Sequence, residues 1–453
     1  MTFELSTPRR VHLIGLGGAG MSGIARILLQ RGHHVSGSDL KDGRALEALR
    51  ALGAIVTVGH RASALGDAEV VVRSTAVPAS NPELLAAEDR NIPVLQRAWM
   101  LAALMAQDRR VLIAGTHGKT TTTSMAVVGL QAAGLDPSFA IGGSLNEVGT
   151  NAHAGNDLVF VAEADESDRS FLAYAPDIAV VTNLELDHPE EFASEEDVHQ
   201  AFDAFLARRT DGAIALACVD DAGSAALAQR APGKVVTYGQ RADADWRLVI
   251  EDDGVATVRH EGERVVRLEL AVPGLHNLRN ATAALATVHL LGADVEAAAA
   301  GLRTFQGAQR RFQRLGEVGG VLVIDDYAHH PTELRATLSA ARTLGHERVV
   351  LVVQPHRYSR TQRFGHDLGE AAAAAEVVIV TDVFASSESP IPGVSGQLVA
   401  DAARQAGAVV VYEPHLGQVV DRVLEHVRPG TLVLVTGAGD VTQVGPAVLQ
   451  RLA

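Results

Sequence analysis

Val111-Leu112-Ile113-Ala114-Gly115-Thr116-His117-Gly118-Lys119-Thr120-Thr121 is the stretch that decides how this chain folds. Its apolar start reads as a buried strand, and Thr122 to Gln131 reads as the helix that follows. Between them stand a glycine turn, a lysine and two hydroxyl residues, the layout of a nucleoside triphosphate loop. Glycines let the backbone turn tightly and aim its N–H groups at phosphate oxygens, and the helix adds its positive end. Lys119 can meet the outer phosphates as a point charge, and Thr120 can hold a magnesium ion. Ile113 occupies the place of the first glycine in the full G-x-x-x-x-G-K-[ST] pattern, so the flanking strand and helix carry the reading. Taken without them, the segment is an ordinary glycine turn.

Upstream, a second glycine loop, Gly15-Leu16-Gly17-Gly18-Ala19-Gly20, follows the apolar run Val11–Ile14 and precedes a helix from Met21 to Arg31. It fits G-x-G-x-x-G, with Asp39 at the end of the next strand where a ribose-binding acid would sit. This loop admits a nicotinamide or flavin cofactor, a nucleotide-sugar diphosphate, or a tight strand-to-helix crossing with no ligand. Short apolar runs at 34–37, 55–58 and 70–73 alternate with helical segments, the signature of a parallel sheet covered on both faces. The pattern restarts at Val111, with strands expected at 157–161 and 178–181. Runs at 235–238, 246–249 and 265–268, separated by charged turns, predict a small antiparallel insert. A third restart near Arg310 brings strands at 321–324, 349–353, 377–380 and 432–435. The alanine runs 297–300 and 371–375 lie in helices, since alanine is the best helix former. Three α/β domains are therefore expected at 1–107, 108–309 and 310–453: a Rossmann-like unit, a P-loop ATPase-like parallel sheet with the insert, and a second Rossmann-like unit.

Composition narrows the class. The 453 residues suffice for several cores, and 47% hydrophobic with 21% charged residues is ordinary for a globular protein. A net charge of −15, from 39 basic and 54 acidic side chains, argues against broad nucleic-acid binding and anionic membrane surfaces. The only cysteine, Cys218, lies in an apolar run and reads as a buried thiol without chemistry. With no signal peptide or membrane-length apolar run expected, a cytoplasmic enzyme, monomer or homodimer, is the default.

Polar groups gather where strands end, which in such sheets is the ligand side. Glu163-Ala164-Asp165-Glu166-Ser167-Asp168 follows one strand, and Glu163 is the expected metal ligand. Thr182-Asn183-Leu184-Glu185-Leu186-Asp187-His188 follows another, where His188 can bind a second metal or orient a carboxylate. Asp325-Asp326-Tyr327-Ala328-His329-His330-Pro331 and Gln354-Pro355-His356-Arg357-Tyr358-Ser359-Arg360 leave two strands of the third unit. Their histidines and arginines suit phosphate and carboxylate groups, with Arg357 and Arg360 expected to share a loop as a joint anion clamp.

In order and spacing, GLGGAGMSG, GTHGKTT, EADESD, TNLELDH, HNLRN, RRF, DDYAHHP, QPHRYSRT and TGAGD resemble the Mur ligase family across nearly the whole chain. Within it, the opening HLIGLGGAGMSGIA with DDYAHHPTE and QPHRYSRT resembles the member that joins L-alanine to UDP-N-acetylmuramate. The related enzyme that recycles a whole murein tripeptide usually carries a cysteine in its opening loop. The segment after Asp187-His188 is shorter than the family's usual loop. The resemblance implies ATP and two magnesium ions, with the lactyl carboxylate phosphorylated before L-alanine attacks, and domain closure to shield the acyl phosphate. It implies UDP-sugar contacts at Gly17, Gly18, Ala19, Gly20, Met21, Ser22, Asp39, Ser74, Ala76 and Arg97. ATP would be met by Gly115, Thr116, His117, Gly118, Lys119, Thr120, Thr121, His276, Asn277, Asn280, Arg311 and Asp326, and metal by Thr120, Glu163 and His188. Tyr327, Arg357 and Arg360 would bind substrate, Arg360 by the carboxylate of alanine, and His329 or His356 would position or deprotonate the amine. Three rivals stay open: a sibling or recycling ligase, a nicotinamide-dependent dehydrogenase, and an ATP-switched binding module.

Overall fold

A computed structural model describes residues 3–143, 149–251 and 255–453. The first sheet is wholly parallel and built from β1 (Arg10–Ile14), β2 (His34–Asp39), β3 (Ile55–Val58), β4 (Val70–Arg73) and β5 (Val94–Gln96). Its order is β3-β2-β1-β4-β5. The order reverses beside β1, so the crevice opens where the first glycine loop leaves that strand.

The second sheet has ten strands: β6 (Arg109–Ala114), β7 (Ser138–Ala140), β8 (Ala152–His153), β9 (Val159–Glu163), β10 (Ile178–Val181), β11 (Ile214–Cys218), β12 (Lys234–Gly239), β13 (Trp246–Ile250), β14 (Ala256–His260) and β15 (Glu263–Leu268). The order is β15-β14-β13-β12-β11-β10-β6-β9-β7-β8. The expected antiparallel insert needs correction. β12 runs parallel to both β11 and β13, and only β13, β14 and β15 alternate in direction. The segment thus lengthens the main sheet instead of forming a separate layer. Its middle strand, β14, carries the polar residues Thr257, Arg259 and His260 and gave no apolar run to find.

The third sheet joins β16 (Gln313–Val318), β17 (Val321–Asp326), β18 (Arg348–Val353), β19 (Val377–Val380), β20 (Val409–Tyr412) and β21 (Thr431–Thr436) in the order β16-β17-β21-β18-β19-β20. All its pairings are parallel except β16 with β17. Successive side chains point to opposite faces. Val350 and Val352 enter one buried cluster, and Leu351 and Val353 enter the other. Each such side chain contributes about 1.5–3 kcal/mol of hydrophobic burial. That two-sided demand is why these strands read as unbroken apolar runs.

Two compact units emerge. One holds Met1–Leu184, His199–Glu269 and Asn280–Arg303; the other holds Glu185–Val198, Leu270–Arg279 and Thr304–Ala453. The first unit contains both the five-stranded and the ten-stranded sheets. They are joined tightly at the helix Ala19–Gln30, where a Cβ on Gly23 would stand 3.1 Å from the Ala152 methyl. Beside it, Asn151 Nδ2 donates to the Ala19 carbonyl (2.8 Å), and the Gln30 side chain accepts from Ala154 N (2.9 Å). Arg31 completes the seam by reaching Asp108 and Ser138.

Candidate active site

The triphosphate-type loop leaves β6 at Ala114 and enters the helix Lys119–Ala132. Gly118 takes a left-handed conformation at the cap, φ 81°, and no side chain caps the first turn. The N–H groups of that turn have no intrahelical partner, and the helix dipole favours an anion there. Asn183, just beyond β10, holds the loop's shape. Its carbonyl accepts from Thr116 N (3.1 Å), and its side-chain oxygen accepts from His117 N (2.8 Å). Thr182 Oγ1 donates to the His117 carbonyl (2.5 Å). A side chain at Gly118 would crowd Asn280, whose Oδ1 would lie 3.0 Å from an added Cβ. Thr116, Thr120 and Thr121 are buried with this cradle.

Lys119 is not extended into solvent. Its Nζ donates to the carbonyls of Gly115 (2.7 Å) and Thr116 (3.1 Å) and to both carboxylate oxygens of Glu166 (2.9 and 2.7 Å). Burial alone would lower the ammonium pKa, but the nearby Glu166, Asp165 and Glu163 carboxylates overcome this and raise it. Lys119 therefore stays charged and pre-aimed across the loop. Glu166 is the functional residue that sequence reasoning missed: it sat inside a quoted motif, but only folding brings it to a lysine 47 positions away. Glu163 ends β9, directly beside β6 in the sheet. Its Oε1 accepts from Gly142 N (2.8 Å), and a Cβ at Gly142 would come within 2.7 Å of Oε2.

In the same unit, the first glycine loop is braced by β2. Gly15 N and Leu16 N donate to the Ser38 carbonyl (2.9 Å each), and Gly17 N donates to Asp39 Oδ2 (2.8 Å). Gly18 caps the helix Ala19–Gln30 without a side-chain bond, leaving its first-turn amides as donors. Met21 points into the core, so what it offers a ligand is backbone, and the Ser22 hydroxyl donates to the Ala19 carbonyl. Ser74 and Ala76 form a turn beside Gly15, with Ala76 N bonded to Ser74 Oγ (3.3 Å). The Arg97 side chain lies over Gly20 and reaches Asp168 at 3.8 Å.

The second unit carries the remaining candidates, and two expectations change there. Asp325 and Asp326 belong to β17 itself, since that strand continues two residues past Ile324. Arg360 lies in the helix Tyr358–Ala372, not in a loop, and Arg357 caps that helix with a positive φ of 66°. The two arginines take different carboxylate partners. Arg357 pairs with Glu190, whereas the buried Arg360 donates through Nε to the buried Asp187 (2.8 Å). The Arg360 guanidinium holds the Asp187 carboxyl far below the usual carboxylate range against the opposing effect of burial. His188 takes a left-handed φ of 54° and sets Nδ1 3.3 Å from Glu190 and 3.4 Å from Arg360.

Around these groups, His356 stacks on Phe384, and its Nδ1 lies 3.1 Å from Arg360 Nη1. His329 meets His356 edge-on, and its Nδ1 lies 2.9 Å from the Tyr327 carbonyl. Tyr327 is flanked by the Arg310 and Arg311 guanidiniums, each 5.0 Å from its ring centre. Arg311 also approaches Glu333 (3.5 Å). Asp326 accepts from Phe312 N (2.6 Å) and Ala328 N (2.8 Å), while burial pushes its carboxyl up to about 6. His276 packs under Gly274, and burial, with Arg279 and Arg311 nearby, lowers it to about 4. Asn277 bonds the Pro273 carbonyl (2.7 Å).

Three family models cover the chain in sequence: "Mur ligase family, catalytic domain" over residues 10–109, "Mur ligase middle domain" over 113–288, and "Mur ligase, glutamate ligase domain" over 310–439. The chain belongs to the Mur ligase family. It is 49% identical over 473 residues to a UDP-N-acetylmuramate–L-alanine ligase of Mycobacterium sp. (strain JLS), covering 99% of this chain and 97% of that one. A ligase of the same name from Saccharopolyspora erythraea is 50% identical over 457 residues, covering 98% and 93%. The crystal structure of a UDP-N-acetylmuramate-alanine ligase from Thermotoga maritima superposes with a TM-score of 0.81 at 28% identity, covering 98% and 99%. As a Mur ligase, the chain is an ATP-dependent ligase with the three-domain α/β fold of that family. The dehydrogenase and binding-module readings end here.

Proposed function

We infer that this Mur ligase joins L-alanine to the lactyl carboxylate of UDP-N-acetylmuramate, driven by ATP, in peptidoglycan precursor synthesis. The observation that carries the inference is identity at about half of all positions, over nearly the whole of both chains, with ligases named for that reaction. Chemistry explains the need for ATP. A carboxylate does not acylate an amine at neutral pH, because oxide is a very poor leaving group. Its oxygen instead attacks the γ-phosphorus, the bond to the β-bridging oxygen breaks, and ADP departs. The resulting acyl phosphate has phosphate as its leaving group. Alanine nitrogen attacks the acyl carbon, the C–O bond breaks, and the nitrogen loses a proton.

Two anions must meet in the first step, so positive groups fixed in advance contribute most. Lys119 and the first-turn amides of its helix cradle the triphosphate. The amides after Gly17 and the Arg97 guanidinium hold the UDP diphosphate. Asn280, which stands beside Gly118, would serve the adenine and ribose side with His276, Asn277 and Arg311, and Asp326 would be an acid in contact with ATP. Thr120 and Glu163 offer hard oxygen ligands, and the Gly142 cradle that fixes Glu163 suits a small cation such as magnesium. Bound there, the ion would neutralise phosphate charge. His188 is the candidate for a second ion. Arg360 and Arg357 orient carboxylates near His329 and His356. The compartment proposed with this reaction is the cytoplasm. No helix among the described residues is long and apolar enough to cross a membrane.

The test is ADP release by the purified full-length protein with magnesium, UDP-N-acetylmuramate and a panel of amino acids. L-alanine should give the highest kcat/KM, with glycine and serine trailing. Release that ignores the amino acid, or a preference for a murein tripeptide, refutes the reading.

A further inference from the structure

Either His329 or His356 can serve the alanine nitrogen on sequence grounds, yet their hydrogen bonds make them opposites. A neutral imidazole has one nitrogen that donates and one that accepts, and its neighbours decide which is which. Burial lowers His329 to about 4 and His356 to about 3, so both rings are neutral at physiological pH. His329 Nδ1 faces the Tyr327 carbonyl at 2.9 Å and the Glu333 carboxylate at 3.6 Å. A carbonyl only accepts, so the proton of His329 sits on Nδ1 and its Nε2 carries a lone pair. His356 Nδ1 faces Arg360 Nη1 at 3.1 Å. A guanidinium only donates, so His356 Nδ1 carries the lone pair and its proton sits on Nε2. The ring centroids are 5.6 Å apart. Two adjacent imidazoles therefore present one acceptor and one donor.

We propose that His329 Nε2 is the base that takes the proton from the alanine nitrogen, and that His356 is a positioning residue for Arg360. The proposal rests on the alanine-ligase reading. As the C–N bond forms and phosphate leaves with the C–O electron pair, the surplus proton on nitrogen passes to Nε2. A weak base suffices at that stage, because nitrogen bonded to the acyl carbon is far more acidic than a free ammonium. Glu333 stands beside Nδ1 to stabilise the imidazolium that results, the role a buried carboxylate plays behind a catalytic histidine. The other charged or titratable groups facing His329 are Asp187, Arg360, His356 and Tyr327. His356 cannot take the proton through Nδ1 without losing Arg360, the residue that is itself tied to Asp187.

The experiment compares His329→Asn, His329→Gln and His356→Asn with the wild-type full-length protein, using matched melting curves to confirm folding. Asparagine at 329 keeps an amide N–H for the Tyr327 carbonyl but deletes Nε2. Both His329 variants should lose kcat for L-alanine by about 100-fold or more, as expected for removal of a general base, with KM for alanine within about threefold. Hydroxylamine is a weaker base whose adduct sheds its proton to water, so hydroxamate formation should fall by less than about tenfold in the same variants. His356→Asn should raise KM for alanine while kcat changes much less. An undiminished kcat in both His329 variants overturns the assignment, as does an equal loss with both nucleophiles or an equal kcat loss in His356→Asn. Failure of the wild-type protein to make the alanine adduct is a separate result, and it overturns the alanine-ligase reading first.

Discussion

Replacing Gly115 by alanine tests whether the triphosphate loop is held as described. Gly115 has φ 135°, a region L-residues rarely adopt, and its Cβ would be driven into Thr182 Oγ1 while lying 3.0 Å from Thr182 N and 3.1 Å from Asn183 N. Strain at such a φ costs about 1–3 kcal/mol. Forcing a methyl into a packed site costs about 1–3 kcal/mol more. Displacing Thr182 breaks its hydroxyl bond to the His117 carbonyl, a further loss of about 1 kcal/mol. The total of roughly 3–7 kcal/mol corresponds to a fall in melting temperature of roughly 5–12 °C for a unit of this size. Surviving folded protein should also release ADP poorly, because the amides of Thr116 and His117 are positioned by the displaced Asn183. The double variant Gly115→Ala/Thr182→Ala removes the hydroxyl clash but not the backbone strain. It should recover about 1–3 kcal/mol of coupling relative to the sum of the single changes. Calorimetry and coupled ADP-release assays read both quantities. A Gly115→Ala protein that melts within a degree or two of wild type and turns over normally would refute the described loop.

Lys119→Ala should slow phosphoryl transfer by about 100-fold or more through loss of a preorganised charge, read as ADP release with all substrates saturating. Arg97→Ala should raise KM for the UDP-sugar by about 10-fold or more while leaving KM for ATP nearly unchanged, since a charge-assisted bond contributes about 1.5–3 kcal/mol. Asp187→Asn strips the counterion from buried Arg360, and urea denaturation should report a loss of about 3 kcal/mol. His276 is neutral in the fold at about 4 but near 6.5 when unfolded, so the unfolded chain binds more protons between those values. Its contribution is complete above pH 6.5 and is lost as pH falls towards 4; His276→Gln should flatten the decline in urea midpoint across that window.

The architecture was legible wherever burial on both faces forced a continuous apolar run. Ile178–Val181 and Val377–Val380 match their strands end to end for that reason. Strands under other constraints were silent. β16 reads Gln-Arg-Leu-Gly-Glu-Val and lies at a sheet edge, where polar side chains are tolerated. β7 and β8 are too short to show a period. In the site, the glycine loops could be read because their function needs a particular local backbone. The partners of Lys119 and Arg360 could not, because Glu166 and Asp187 become neighbours only through the fold. The tautomers of His329 and His356 were equally hidden, being set by a carbonyl and a guanidinium and not by their own sequence positions.

The missing side chain at Gly23 has a mechanical meaning. With the Ala152 methyl nested against that bare backbone and Asn151 clasping the Ala19 carbonyl, the helix that begins at the first glycine loop has no slack at its seam with β8. That close seam carries both glycine loops on a common chassis. A bulky residue at 23 would act as a wedge, changing the spacing of the two glycine loops without touching either.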